Sequence, residues 1–265
     1  MICVVVTVYN KEKFIRKTIL SILNQTILPE EIIIVNDGST DNSLRIIEKI
    51  KKPNFTKIIT TINQGVSAAR NLGLKKAKSN YVYFVDGDDI LNKNAISIFS
   101  NQILENPNYI LYAANRISQN HKTEKRIIGI NSKQFDIKEY LELLIDYKNL
   151  CWTSAVVINK NKIENVKYNE DFSRGEDRYF YMTILANNSG YWIDKIVAVY
   201  VNDPNSLTSY PINKSEDLFW KGLNENEHLI SNKKKLFRFK ATYILLNIIE
   251  NLKRYNLRNI ISWIK

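Results

Sequence analysis

The sequence predicts an α/β fold in which a mixed, mainly parallel sheet carries helices on its faces. Three observations indicate this fold: short apolar runs alternate with segments of helical period over the first 115 residues, the apolar runs are continuous, and polar residues follow each run. A continuous apolar strand is buried on both faces, as in a parallel sheet covered by crossover helices. We therefore expect a ligand site at the carboxyl ends of the strands.

The predicted elements follow from the period of the apolar residues. The strands are predicted at 2–6, 32–35, 57–62, 81–85 and 109–113, and helices at 14–23, 44–50, 67–78 and from 92 onward. Asn10 is the predicted entry to the first helix, because asparagine is a preferred N-cap residue. After residue 115 strands are predicted at 126–130, 153–158 and 191–201, and helices at 137–147 and 176–187. From about Ser215 onward the pattern predicts helix throughout.

Composition excludes several classes of protein. A chain of 265 residues with 45% hydrophobic, 11% aromatic and 25% charged residues is typical of a folded globular protein and not of disordered or fibrous ones. Two cysteines, Cys3 and Cys151, without nearby histidines predict neither a disulfide framework nor a zinc site. A reducing, cytoplasmic location is the expectation, since Met1 also runs directly into a strand and not into a signal sequence.

The net charge of +11 is concentrated in the C-terminal segment. Residues 231–265 hold nine Lys or Arg against one acid, Glu250, so this segment carries +8 and the rest of the chain +3. Apolar residues alternate with the cations, and the longest uncharged stretch, 241–249, is far too short to cross a membrane. Two hypotheses remain: a basic amphipathic helix on an anionic membrane surface, or helices packed on the rest of the chain or on a second subunit in a homodimer.

Three carboxylates, Asp86, Asp88 and Asp89, crowd into four residues after a predicted buried strand. In an extended segment Asp86 and Asp88 share a face, and like charges this close repel unless a cation is present. Mg²⁺ or Mn²⁺, held by one or two carboxylates and completed by phosphate oxygens, is the usual solution. The alternative is an Asp-rich turn followed by a helix cap.

Two further loops carry candidate binding residues. Asp37 begins a turn at 37–43 whose Ser39, Thr40 and Asp41 are N-cap candidates. Capping does not require Asp37, which lies at a strand end where a carboxylate could accept hydrogen bonds from a base or ribose. In the loop at 63–73, small residues let the helix start approach a ligand or the sheet, and Arg70 could face a diphosphate. The alternative there is a closely packed helix with an exposed arginine.

Four motifs together resemble the family 2 glycosyltransferases of the GT-A fold. They are residues 7–10 (TVYN), 35–41 (VNDGSTD), 63–73 (NQGVSAARNLG) and 84–89 (FVDGDD). Their order and spacing make a specific match, strong over 1–115 and weaker to about 210. The resemblance implies a nucleoside-diphosphate sugar, usually a UDP-sugar, lying across these loops.

The resemblance also implies roles for single residues. The implied donor-binding residues are Thr7, Tyr9, Asn10, Asp37, Asn63, Ser67, Arg70, Asp86 and Gly87. Tyr9 and Asp37 would hold the base, and Asp86 would lie near the ribose and the donor sugar. Asp88 would bind the metal cofactor, Mn²⁺ or Mg²⁺, with Asp89 as a neighbour. Thr7 departs from the family, which more often has proline there.

Residues 174–180 (RGEDRYF) resemble the second acidic motif of the family, at a helix start near the acceptor. An inverting displacement needs a carboxylate to take the proton of the acceptor hydroxyl. Asp177 is assigned as that base and Glu176 as the reserve; the alternative is that both acids complement a helix N-terminus. Asp203 stands where many relatives carry His or Arg, so its assignment as a further metal ligand is in doubt.

The resemblance thus implies an inverting glycosyltransferase that moves a sugar from a UDP-sugar to a hydroxyl of a glycan, lipid-linked glycan or glycoprotein. We predict a catalytic domain at 1–212, with a donor half at 1–115 and an acceptor half at 116–212, and a basic helical extension at 213–265. A sugar nucleotidyltransferase is the alternative enzyme, but no Gly-rich basic loop follows the first strand. A basic nucleic-acid-binding protein is the other alternative, yet the predicted mouth of the sheet is acidic, so we expect no nucleic acid partner.

Overall fold

The computed structural model of the protein describes residues 1–118, 128–163, 165–172, 174–201 and 217–253, and the side chains of these ranges except 250–253.

One sheet organises the described residues. Its strands are β1 (Ile2–Val8), β2 (Glu31–Asp37), β3 (Thr56–Thr61), β4 (Tyr81–Asp86), β5 (Ile90–Leu91), β6 (Leu111–Ser118), β7 (Lys133–Phe135), β8 (Val156–Asn159) and β9 (Gly190–Tyr200). Their order is β3-β2-β1-β4-β8-β6-β9-β5, with β7 also paired to β9. The first four strands of this order are mutually parallel, whereas β8 runs antiparallel to both β4 and β6. The predicted mixed α/β sheet is therefore confirmed.

Helices connect and cover the strands. They are α1 (Ile15–Leu23), α2 (Ser43–Lys49), α3 (Val66–Lys76), α4 (Ala95–Glu105), α5 (Ile137–Ile145), α6 (Glu176–Leu185), α7 (Leu218–Glu225) and α8 (Lys233–Lys253). Residues of α1, α2 and α4 share one buried apolar cluster, and residues of α3, α5, α6, α7 and α8 share another. The sheet thus lies between two helical layers.

Strand β1 shows why its sequence is apolar without alternation. Every residue of β1 is buried. Cys3 and Val5 belong to the cluster that contains α3, while Val4 and Val6 belong to the cluster that contains α1. A central strand with helices on both sides has no solvent-facing side, so apolar residues are needed at successive positions.

Local chemistry changes several predicted boundaries. Asn10 does not begin α1; it adopts a left-handed conformation with φ of 52°, and α1 begins after Phe14. Residues 153–155 form a 3₁₀ turn before β8 and not the start of a strand. Of the predicted strand 126–130, the described residues 128–130 are not strand, and 126–127 lie outside the described residues. Strands β5 and β7 were not predicted, because two or three residues give no readable period.

The C-terminal helices pack on the rest of the protein. Phe219 of α7 and Phe239 of α8 lie in the same cluster as Phe180 of α6. Asp217 caps α7 by accepting the Trp220 N–H at 3.2 Å, and it also accepts the hydroxyl of Tyr243 in α8 at 2.6 Å. The predicted continuous helix is interrupted between Glu225 and Lys233, where a short 3₁₀ turn lies at Glu227–Leu229. Within the described residues, the C-terminal segment therefore contains two helices, α7 and α8, that pack on the rest of the protein.

The proposed boundary between the catalytic domain and the extension falls within 202–216, outside the described residues. This division remains a prediction. Among the helices of the described ranges, none is both long enough and apolar enough to cross a membrane.

Candidate active site

The predicted site loops meet at the carboxyl ends of β1, β2 and β4. The parallel register places Thr7 opposite Asp86, and Val8 opposite Asn36. Because parallel strands end at the same edge of the sheet, Asp37 and Asp86 follow on that edge. The side chain of Arg70 then joins Asp86 to Glu176, at the start of α6. Residues far apart in the chain therefore form one acidic site.

Asp37 organises the loop that precedes α3. Its Oδ1 accepts the Gln64 N–H at 2.9 Å and the Thr61 hydroxyl at 3.2 Å, and its Oδ2 accepts the Gly65 N–H at 2.8 Å. Asn63 is exposed, and its Oδ1 also accepts the Gly65 N–H, at 3.2 Å. Asp37 itself is only 3% exposed. Its carboxylate thus fixes the turn, and its contact with a base remains a prediction.

The loop after β1 is tied to the loop after β2. The Asn10 side-chain oxygen accepts the Thr40 N–H at 2.8 Å, and the Asn10 N–H donates to Ser39 Oγ at 3.1 Å. Tyr9 next to it is 44% exposed. Asn10 therefore braces the loop, and an aromatic ring lies open to solvent beside it. An exposed ring at this place suits stacking on a planar base.

Arg70 lies between two carboxylates. Its two terminal nitrogens donate to Asp86 Oδ1 at 3.0 Å and to Glu176 Oε1 at 2.8 Å, and its side chain is only 4% exposed. Burial alone would lower the pKa of Arg70, but Asp86 and Glu176 outweigh burial and raise the pKa well above its usual value. The alternative of an exposed arginine is wrong, because Arg70 is buried between two carboxylates. Its contact with a diphosphate remains a prediction.

Residues 86–89 form a tight turn. The Asp89 N–H donates to the Asp86 carbonyl at 3.0 Å, so the segment is not extended as the sequence argument assumed. The Asp86 N–H donates to Ser154 Oγ, and the Gly87 N–H donates to the Thr7 carbonyl, both at 3.0 Å. The Thr7 hydroxyl makes a longer bond of 3.4 Å to Asp86 Oδ1. The turn is thereby fixed to β1 and to the segment before β8.

Asp88 forms an ion pair with Lys11. Lys11 Nζ lies 2.6 Å from Asp88 Oδ2, and the two side chains are 17% and 13% exposed. Burial raises the pKa of Asp88, Lys11 opposes this effect, and the charge of Asp86 adds to it. Asp88 is therefore a partly buried carboxylate whose charge a nearby cation stabilises.

Asp89 is buried and contacts the backbone at the end of β9. It is 2% exposed, and its Oδ1 accepts the Val201 N–H at 3.3 Å. Burial, together with the charges of Asp86 and Asp88, raises the pKa of Asp89 to about 8. Asp89 thus links the acidic turn to the end of β9.

Glu176 and Asp177 are the first two residues of α6, which begins after Gly175 at φ of 75°. Asp177 Oδ1 accepts the Arg178 N–H at 2.7 Å. Burial raises the pKa of Glu176, Arg70 opposes this shift, and Asp177 adds to it. The expectation that both acids lie at a helix start is met, and Glu176 additionally pairs with Arg70.

Ser67 offers an unsatisfied hydroxyl at the start of α3. It is 3% exposed, and its Oγ has no hydrogen-bond partner among the described residues. A buried polar atom without a partner costs stability. A ligand group at this point would remove that cost.

The donor chemistry around Asp88 fits a hard divalent ion in one respect. Carboxylate oxygens are the protein ligands that Mg²⁺ and Mn²⁺ prefer, and Mg²⁺ commonly takes only one or two of them beside water and phosphate oxygens. Within the described part of the chain, no group of three His, Cys, Asp or Glu side chains is placed to hold a metal ion. Asp203, the other predicted ligand, lies outside the described residues. Asp88 would hold such an ion only with ligands from a substrate or from beyond these residues.

Sequence reasoning missed two site residues. Lys11 contacts Asp88, 77 residues away, and Ser154 contacts the Asp86 N–H, 68 residues away. Neither position carries a local pattern, although a cation next to the TVYN motif and opposite an acidic turn is a weak signal. Both contacts are products of the sheet order.

The mixed sheet, with loops and an acidic turn at the carboxyl ends of its parallel strands, has the architecture expected of the GT-A fold. A model of glycosyl transferase family 2 matches residues 3–169, more than half of the chain. The chain belongs to glycosyl transferase family 2. The family and the fold that the sequence predicts are thereby confirmed.

Individual relatives differ in how much they share. Poly(ribitol-phosphate) beta-N-acetylglucosaminyltransferase TarP of Staphylococcus aureus is 30% identical over 223 residues, which cover 81% of this chain and 67% of TarP. An uncharacterized glycosyltransferase of Haemophilus influenzae is 40% identical over 108 residues, 40% of this chain and 43% of that protein. EpsJ of Bacillus subtilis, also an uncharacterized glycosyltransferase, is 27% identical over 82% of this chain and 65% of its own length. The chain thus spans less than two thirds of the last two relatives.

Solved structures show the same fold. S. aureus TarS 1-349 in complex with UDP-GlcNAc matches with a TM-score of 0.71 at 20% identity, over 87% of this chain and 66% of that chain. Its complex with UDP matches with a TM-score of 0.64 at 22% identity, over 77% of this chain and 61% of that chain. Identities this low establish the shared architecture only.

Arg70→Met is expected to lower the free energy of unfolding by about 3 kcal/mol, because it leaves Asp86 and Glu176 without their buried cation. Adding Glu176→Gln should recover part of the loss, since one of the two carboxylates is then neutral. Urea unfolding measures both effects. The control is Arg45→Met, an exposed arginine of α2, which should stay within about 0.5 kcal/mol of the wild type. Equal stability of the Arg70 and Arg45 variants would contradict the buried-bridge interpretation.

Proposed function

We propose that the protein is an inverting glycosyltransferase that moves a sugar from a UDP-sugar to an acceptor hydroxyl. The supporting observation is the Arg70 bridge, which joins the strand-end carboxylate Asp86 to the helix start that carries Asp177. Donor and acceptor must meet within bonding distance in such a reaction. In this proposal the acidic turn at the end of β4 lies on the donor side, and the acids at the start of α6 lie on the acceptor side.

The donor site is proposed from the loops at the edge of the sheet. Tyr9 and Asp37 would hold the base, Asn10 and Asn63 would shape the loops around it, and the Ser67 hydroxyl would bond the donor. Asp86, Gly87 and Thr7 would form the wall beside the ribose and sugar, with Arg70 behind Asp86. TarP is named an N-acetylglucosaminyltransferase and TarS is described with UDP-GlcNAc. These names favour a UDP-linked N-acetylhexosamine as the first donor to test.

The proposed chemistry is a single displacement. The acceptor oxygen forms a bond to the anomeric carbon, the bond from that carbon to the β-phosphate oxygen breaks, and the acceptor proton passes to Asp177. Attack from the face opposite the diphosphate converts an α-linked donor into a β-glycoside. A divalent ion at Asp88 would supply charge neutralisation for the departing diphosphate.

Asp177 is a better candidate base than Glu176. Glu176 already bonds the Arg70 guanidinium at 2.8 Å, and a cation at that distance weakens a carboxylate as a base. Asp177 Oδ1 accepts the Arg178 backbone N–H, and the charges of Arg178 and Arg116 also act on Asp177, but among the described residues it makes no guanidinium bond of the kind that Glu176 makes. Glu176 is therefore proposed to position the start of α6, and Asp177 to take the proton.

Asp177→Asn should lower kcat at least about a hundredfold, because it removes the general base while preserving shape. Its UDP affinity should be unchanged, whereas Asp88→Ala should abolish metal-dependent UDP binding. Turnover is measured as UDP release with UDP-GlcNAc and a panel of glycan, lipid-linked and polyol-phosphate acceptors, and the anomeric configuration of the product is read by NMR. The matched control is Asp171→Asn, an exposed acid before α6. Wild-type turnover by Asp177→Asn would remove the base assignment.

The acceptor side is proposed to include a membrane surface on the cytoplasmic face. On α8, Phe237, Leu245 and Leu246 are 73%, 56% and 53% exposed. Lys234 and Arg238 are exposed on the same helix. Apolar residues beside cations suit an anionic headgroup layer. A second copy docking through the same face would bring these cations opposite one another, which makes the homodimer less favourable.

Leu245→Glu with Leu246→Glu should weaken binding to vesicles that contain phosphatidylglycerol about tenfold or more, because two exposed leucines that would enter the headgroup layer are lost. Cosedimentation measures the binding, and pure phosphatidylcholine vesicles should bind little. Leu104→Glu, at a leucine 66% exposed on α4, is the control. The membrane proposal would be rejected if the wild type bound neither vesicle type and instead formed a concentration-dependent dimer that the double variant prevented.

A further inference from the structure

Lys11 places a cation on the carboxylate that is proposed to hold the metal. It lies in the loop between β1 and α1, and its Nζ is 2.6 Å from Asp88 Oδ2. Both side chains are largely shielded, with 17% and 13% exposed. An ion pair that is partly removed from water is stronger than one at the surface, so this contact stabilises the charged form of Asp88.

The backbone of Lys11 is fixed on both sides. Its N–H donates to Ser43 Oγ at 2.8 Å. Its carbonyl accepts the N–H groups of Phe14 and Ile15, both at 2.9 Å, in the turn that leads into α1. The backbone from which the Lys11 side chain extends is therefore fixed by three hydrogen bonds.

The stem of Lys11 passes over Gly87. A Cβ added to Gly87 would lie 3.4 Å from Lys11 Cγ and 2.9 Å from the Thr7 carbonyl oxygen. A side chain at position 87 would therefore press against both β1 and the lysine. The acidic turn thus has a glycine at the point where the lysine stem and the backbone of β1 come close.

We propose that Lys11 occupies the cation position at Asp88 in the nucleotide-free protein, and that it makes divalent-cation binding conditional on a nucleoside diphosphate. The proposal rests on the proposed function, since it takes Asp88 as the metal ligand. The ammonium group and a divalent ion compete for one carboxylate because both are cations. A bound diphosphate brings further anionic oxygens, so Lys11 can leave Asp88 without losing a charged partner.

Two consequences follow for binding. In the wild type, a divalent ion alone must displace the ammonium group and binds weakly, whereas ion and nucleotide together bind cooperatively. By linkage, the factor by which nucleotide strengthens ion binding equals the factor by which the ion strengthens nucleotide binding. Lys11 is thus a specificity-determining residue, which selects the ion–nucleotide pair over either one alone.

The test measures Mn²⁺ binding directly, by the electron paramagnetic resonance signal of free Mn²⁺, with and without UDP. Lys11→Met should bind Mn²⁺ alone at least about tenfold more tightly than the wild type, the size expected for losing a competing charged hydrogen bond. UDP should then strengthen Mn²⁺ binding by a smaller factor than it does in the wild type. Lys11→Arg, which keeps a cation, should retain weak binding of Mn²⁺ alone.

The matched control is Lys13→Met, which removes an exposed lysine two residues away and should behave as the wild type. Lys11→Gln is a second neutral variant, and thermal melts establish that each variant is folded; if Lys11→Met does not fold, Lys11→Gln decides. If folded neutral variants bind Mn²⁺ alone no better than the wild type while UDP still promotes Mn²⁺ binding, the Lys11 proposal is overturned and the metal-dependent donor site stands. If the wild type binds no Mn²⁺ even with UDP, both are overturned.

Discussion

The buried guanidinium of Arg70 is the contact on which the site depends. Two carboxylates from distant parts of the chain, Asp86 at the end of β4 and Glu176 at the start of α6, share this one cation. Each carboxylate would carry an unfavourable desolvation cost alone, and together they would repel. The arginine offsets that repulsion and connects the end of β4 to the start of α6, where Asp177 follows Glu176.

In the acidic turn at 86–89, the other two carboxylates also have partners that stabilise them. Asp88 is matched by Lys11, and Asp89 is buried against the Val201 N–H. The turn therefore contains three carboxylates in three different environments: one beside an arginine, one beside a lysine, and one held by backbone. This division explains how Asp86, Asp88 and Asp89 coexist in four residues, and it gives them different expected roles.

The fold was predictable because its causes are local. The continuous apolar run of β1 reports burial on both faces, and polar residues at the ends of β1, β2 and β4 locate the edge of the site. The partners of the site residues were not predictable in the same way. The Lys11–Asp88 pair depends on β4 lying next to β1, and Asn10 was assigned to a helix cap because its left-handed conformation has no signature beyond asparagine itself.

Arg70 is an intermediate case. It lies three residues after Ser67 and three before Gly73, so helical spacing places it on the stripe of α3 that is buried. This spacing is a signal for an inward-pointing arginine that the sequence analysis did not use, since it considered only a diphosphate partner or an exposed side chain. The identity of Glu176 as the partner required the approach of the start of α6 to α3, which brings together two residues 106 positions apart in sequence.

Hydrogen–deuterium exchange tests the bridge most directly. With UDP bound, the wild type should show slower amide exchange both at 64–70, in the proposed donor loop, and at 175–181, at the start of α6. In Arg70→Lys, which keeps the charge but not the two-pronged geometry, protection at 64–70 should persist while protection at 175–181 is lost. Equal protection of the α6 start in both proteins would contradict the claim that Arg70 connects the two sides of the site.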